Sequence, residues 1–157
     1  MTTTYFGGPL SRVVKEGDKI YQGLHYTSNK GVVSENLSKA IESSMNENFE
    51  EITANCPIGN NEGIAYATNV TATKISRDKY KISISISGEI SPHGLTPFSH
   101  PNERTFVVEK IKRLFEERSL PNPEIENESD KIVVNLVVDR DFKNMNGCFV
   151  ALVVALV

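Results

Sequence analysis

Tyr80-Lys81-Ile82-Ser83-Ile84-Ser85-Ile86-Ser87 is the stretch on which the fold turns. Large apolar side chains alternate strictly with a lysine and three serines. Successive side chains of a strand leave on opposite faces, whereas a helix would scatter these isoleucines around its circumference. The segment is therefore a strand with one buried face and one face of small hydroxyls. A serine face suits solvent, and a row of small side chains also lets a second sheet or subunit approach closely.

Reading outward, residues 64–75 form a second β-rich run, joined to the first through Ser76-Arg77-Asp78-Lys79, which predicts a β-hairpin. Upstream, Ser34 can cap a helix and Glu35 favours its positive end. Leu37, Ala40, Ile41, Ser44 and Met45 then make one apolar stripe that ends near Asn48. Downstream, Pro92, Gly94, Pro97 and Pro101 make residues 91–101 a loop. A second helix over residues 102–118 presents Val107, Val108, Ile111, Leu114 and Phe115, and Pro121 and Pro123 stop it.

Residues 131–138 read as a strand with apolar residues on both faces. After a polar loop at 139–147, residues 148–157 (Cys-Phe-Val-Ala-Leu-Val-Val-Ala-Leu-Val) are continuously apolar and have no preceding cap. They are expected to form a strand buried in a core or a subunit interface. In the N-terminal third, Tyr5-Phe6, Val13-Val14 and residues 20–26 suggest short strands, and Ile52 suggests another. The expected fold is a single α+β domain over residues 1–157, a layered sandwich of mostly antiparallel sheet with two helices and a buried C-terminal strand.

Net charge is −3, and the basic residues are scattered, with Lys110, Lys112 and Arg113 interleaved among Glu109, Glu116 and Glu117. Duplex nucleic acid is thereby excluded, because phosphate neutralisation needs clustered Lys and Arg. The two cysteines, Cys56 and Cys148, make no disulfide framework and are expected as free thiols. Met1-Thr2-Thr3-Thr4-Tyr5-Phe6 lacks the basic and apolar regions of a signal peptide. The terminal apolar run reaches about half the ~20 residues a spanning helix needs. Cytoplasmic localisation without membrane association is expected. A carboxylate directly after the apolar run is costly to bury. A terminal strand would therefore end at a sheet edge or in a cavity between subunits, which favours a homo-oligomer.

Candidate sites lie in polar loops. Thr53, Asn55, Asn60 and Asn61 border the breakers Pro57, Gly59 and Gly63 and could hydrogen-bond a small polar ligand. That loop lacks the Gly-Lys-Ser/Thr end of a phosphate loop and leads into a strand. His93 and His100 share the second polar loop and are counted with the ligand-binding candidates; with no further His or Cys at metal-ligand spacing, no metal and no cofactor are expected. Arg104, near the start of the second helix, could clamp a carboxylate or phosphate. Cys56 has no histidine placed beside it to generate a thiolate. No catalytic residue is assigned.

The hairpin, Gly94-Leu95 after it, a single helix, a strand and the final Gly147-Cys148 resemble, in order and spacing, the C-terminal two-thirds of pyruvoyl-dependent arginine decarboxylases. Tyr5-Phe6, Pro9 and Ile52 are weaker echoes. The resemblance implies a trimer-forming sandwich scaffold. It also implies lost chemistry: self-cleavage at a Ser-Ser pair would fall on Thr53-Ala54, and Ala54 has no hydroxyl. The catalytic glutamate expected after Gly-Leu is replaced by Thr96-Pro97-Phe98.

The expectation is a non-catalytic homo-oligomeric protein, a trimer or a multiple of one, that binds a small polar or anionic metabolite, nucleotides among the candidates. The alternatives are a divergent decarboxylase-like or Cys/His-dependent enzyme, using Cys56 or His93, and a structural or assembly subunit.

Overall fold

The computed structural model describes residues 35–55, 58–59, 65–89, 101–128 and 131–156, together with four short strands in the N-terminal third. Those strands are β1 (Thr3–Phe6), β2 (Arg12–Val14), β3 (Lys19–Tyr21) and β4 (Leu24–Thr27). β1 pairs with β4 and β2 with β3, both antiparallel. Sequence marks Tyr5-Phe6, Val13-Val14 and residues 20–26 as strands; the last of these is two strands, β3, which begins at Lys19, and β4.

The main body begins with α1 (Glu35–Asn46), followed by β5 (Glu51–Asn55), β6 (Ile58–Gly59), β7 (Ala65–Ser76) and β8 (Lys79–Glu89). Then come α2 (Pro101–Glu117), β9 (Glu124–Asn127), β10 (Lys131–Asp139) and α3 (Met145–Ala155). One antiparallel sheet runs β5-β7-β8-β10-β9, with β6 also paired to β7. The α+β class and the antiparallel sheet are as the sequence predicts, with three helices where two are expected.

The alternating strand forms the middle of this sheet. Ile82, Ile84 and Ile86 have no exposed surface. Ile84 stands between Val70 and Val134, and Ile82 between Ala72 and Leu136. Removing each such side chain from water is worth about 1.5–3 kcal/mol, so register is strongly specified: a slip by one residue would turn the serines inward. All three helices cover this face. α1 packs near β5 and β7, α2 near β9 and β10, and each packs on α3.

Both amphipathic helices end in the same motif. The N–H of Phe49 bonds the Ser44 carbonyl and that of Asn48 bonds the Met45 carbonyl. Leu120 to Phe115 and Ser119 to Glu116 repeat this on α2. Asn48 and Ser119 accordingly take the left-handed conformation, at φ 70° and 55°. Phe49 and Leu120 then turn back onto the core. The buried Tyr80 hydroxyl donates to the Phe49 carbonyl, fixing this corner to the central strand.

The structure corrects three readings. Residues 145–155 are a helix, not a strand, although buried as expected, with Cys148, Phe149, Ala151, Leu152 and Val153 at 0% exposure. A helix apolar on all sides belongs inside a protein, and α3 lies between two other helices. Its missing cap comes from elsewhere: Glu42 on α1 accepts the Met145 N–H at 2.9 Å, and the Asn144 side chain makes no capping bond. Second, β10 is not covered on both sides. Its helix-facing residues are buried, whereas Val133 is half-buried and Val137 is 56% exposed. Third, β9 was not expected. Only Ile125 in Glu-Ile-Glu-Asn contributes an apolar side chain, so its alternation leaves a weak signal.

Candidate functional site

With the helices on one side, no helix lies on the opposite side of the sheet among the described residues. There β3 approaches β5, the middle of this side is half-buried, and its composition follows from strand alternation. Register aligns it in rows. One row runs Thr53, Thr71, Ser83, Asn135 and Glu124. The next runs Asn55, Asn69, Ser85, Val133 and Glu126. Beyond them lie Glu51, Thr73, Lys81 and Val137 at one end, and Ser87 beside Lys131 at the other. The middle of the face carries hydroxyls and amides and no charge. The charges Glu51, Lys81, Glu124, Glu126 and Lys131 stand around it.

Part of this surface is tied together. Ser83 Oγ donates to Asn135 Oδ1 at 2.7 Å, and Asn135 Nδ2 donates to Glu126 Oε2 at 3.0 Å. The chain fixes the amide orientation of Asn135 and leaves hydroxyl lone pairs on Ser83 as acceptors. It contains no base able to activate Ser83, since an amide cannot take its proton. The arrangement can bind through hydrogen bonds but does not by itself make a nucleophile.

Thr53, half-buried, belongs to this face. Asn55 pairs with Asn69 at the end of the same strand. Ala54 pairs with Val70 inside β5, so the Thr53-Ala54 bond lies within a regular strand. Cys56, Asn60, Asn61, His93, His100 and the 94–98 segment lie outside the described residues.

Arg104 belongs to another place. Strand alternation puts Asn127 on the helix side of β9, opposite the buried Ile132. There the Arg104 Nε donates to Asn127 Oδ1 at 2.9 Å, and Asn127 Nδ2 donates to Thr105 Oγ1 at 3.3 Å. Arg104 is 7% exposed and ties the start of α2 to an edge strand. Thr53 is on the other edge strand, roughly 19 Å away at ~4.8 Å per strand, and on the other face. The two do not share a site.

Cys148 sits in the first turn of α3, where the helix dipole alone would favour a thiolate. Burial and, secondarily, the nearby Glu42 carboxylate push it the other way, up to about 12. It is a packed thiol, as expected from sequence. At the far end of α2, a cleft of ≈ 460 Å³ is lined by Lys112, Glu116, Leu120, Asn122 and Pro123.

Among the described residues no group of three or more His, Cys, Asp and Glu side chains could hold a metal ion, and no helix is long and apolar enough to cross a membrane. No protein-family model, no curated protein and no solved structure matches this chain.

Proposed function

We propose that this chain is a non-catalytic, homo-oligomeric binding protein for a small polar or anionic metabolite. The observation that carries the reading is the row Thr53, Thr71, Ser83 and Asn135, uncharged hydrogen-bonding groups presented side by side on a rigid sheet. Groups mounted on strands lose little freedom when they engage a ligand, which favours affinity. The margin of this row at β5, with Thr53 and Asn55, is the proposed ligand site, and Asn60 and Asn61 are assigned to it from sequence alone. Neutral donors and acceptors there suit sugar hydroxyls, amides or the base and ribose of a nucleotide.

Native mass spectrometry of the full chain as purified, followed by a denatured spectrum, tests this reading. The expected result is an oligomer of intact 17.4 kDa chains carrying additional small-molecule mass. Thr53→Val should reduce the retained mass without altering the fold. An empty monomer would overturn the proposal, and cleavage near residue 54 would replace it with self-processing chemistry.

A further inference from the structure

The open face has a charge pattern that specifies what can lie against it. Among the described residues, Lys81, Glu51, Glu124 and Glu126 have no ion-pair partner in their own chain. Elsewhere Lys74–Glu50, Lys79–Asp139, Lys112–Glu109 and Arg113–Glu117 are paired. Lys131 reaches Glu128 at 3.5 Å. Unpaired charges surrounding an uncharged centre match the rim and centre of a protein interface.

The pattern can be tested for complementarity with itself, because strands lie ~4.8 Å apart and same-face residues ~6.8 Å apart along a strand. Two copies meeting face to face are related by a two-fold axis in the plane of the face. An axis parallel to the strands would set Lys81 over its own copy. An axis across the strands would set Glu124 over the partner copy's acidic residue on the same edge strand, Glu126. The diagonal through Asn69 and Asn135 avoids both clashes. It lays Lys81 over Glu126 and Glu126 over Lys81, brings Glu51 within about 3 Å of the grid position of Lys131, and sets Thr53 over Ser87. Asn69 and Asn135 each face their own copy. The opposite diagonal brings Glu51 close to itself.

We infer that the open sheet face docks a second copy of this chain about the Asn69–Asn135 diagonal, with Lys81 and Glu126 as reciprocal ion pairs. The strands of the two sheets then cross at about 70°, nearer to the orthogonal than to the aligned class of sheet packing. The small serines and threonines of the centre permit close approach. The gridded area is roughly 600 Å² per copy, somewhat under the ~800 Å² per partner of a standard interface, which indicates a weak, salt-sensitive dimer. This inference rests on the oligomeric part of the proposed function and sets the β5 margin, with Thr53 opposite Ser87 of the second copy, at the seam between the two copies, so that a metabolite held there would lie between them.

Sedimentation equilibrium of the full chain and of charge-swapped variants tests it. Lys81 and Glu126 are exposed, so Lys81→Glu and Glu126→Lys leave the core intact. Each single swap creates like-charge contacts twice per dimer and should raise the dissociation constant by about tenfold or more. The double swap should restore it to within a few-fold of the original. Dissociation constants indifferent to these swaps would sink the inference while leaving oligomeric binding in place. A monomer at high concentration would sink both the inference and the oligomeric reading. Retained ligand mass is read separately and bears only on the metabolite.

Discussion

The Glu42 carboxylate on α1 accepts the backbone N–H of Met145 at 2.9 Å, across 103 positions of sequence. Glu42 is 8% exposed and Met145 fully buried. A buried carboxylate needs compensation, and the first N–H groups of a helix need acceptors. Each supplies what the other lacks, and the positive end of the α3 dipole adds to the attraction. The central helix is thus held at its start by a side chain of its neighbour.

Removing that acceptor should destabilise the protein. Glu42→Ala is expected to cost about 1–2 kcal/mol, the range for loss of a helix cap. Glu42→Gln retains an oxygen acceptor but gives up the charge and should cost less, about 0.5–1 kcal/mol. Urea unfolding of both variants checks the order. A cost for Glu42→Gln equal to that of Glu42→Ala would show that a neutral acceptor contributes nothing at this helix end and the charge everything.

The same contact explains where sequence reading failed. The hairpin, the stripes of α1 and α2 and their ends near Asn48 and Arg118 are local patterns, and they are legible because each residue's neighbours in sequence are also its neighbours in space. Residues 148–157 carry no such pattern. An all-apolar run has neither a period of 2 nor one of 3.6, and its β-branched residues favour the wrong answer. What decides for a helix is the slot between α1 and α2, together with a cap from Glu42. At the candidate site loop chemistry points to Thr53, whereas Thr71, Ser83 and Asn135 come from other strands and join it only through register. Arg104 looked like an anion clamp because nothing local shows that Asn127 engages it.

Arg104 and Asn127 should behave as a structural pair. Either Arg104→Ala or Asn127→Ala is expected to cost about 1–3 kcal/mol, because each leaves a partner without its bond at the foot of α2. Their effects should be non-additive by about 0.5–1 kcal/mol in a double-mutant cycle. Strict additivity of the measured unfolding energies would show that the hydrogen bond carries no stability.

Ser119 holds the left-handed position after α2 at φ 55°, a conformation in which a β-carbon is strained. Ser119→Gly should therefore stabilise the protein by about 0.5–1 kcal/mol, net of the greater freedom glycine has when unfolded. Thermal unfolding should shift upward by roughly 1–4 °C for a chain of this size. A lower midpoint would mean that the serine hydroxyl contributes more than the strain costs.

Cys148 gives a pH dependence whose sign is fixed. Its folded value, about 12, lies above the ordinary 9.0, chiefly through burial and secondarily through Glu42. The folded chain therefore keeps its proton in a range where the unfolded chain releases it. The stability linked to the neutral thiol is complete below pH 9 and is lost as pH rises from 9 toward 12. Between those limits the native protein should lose stability faster than Cys148→Ala, a comparison that cancels the titration of lysines and tyrosines common to both. Alkylation with iodoacetamide at pH about 8, mapped by peptide mass, should leave Cys148 unmodified in the native state and label it once urea unfolds the chain, because the thiolate is the reactive form. Labelling of Cys148 in the native state at the unfolded rate would show that the first turn of α3 opens to solvent.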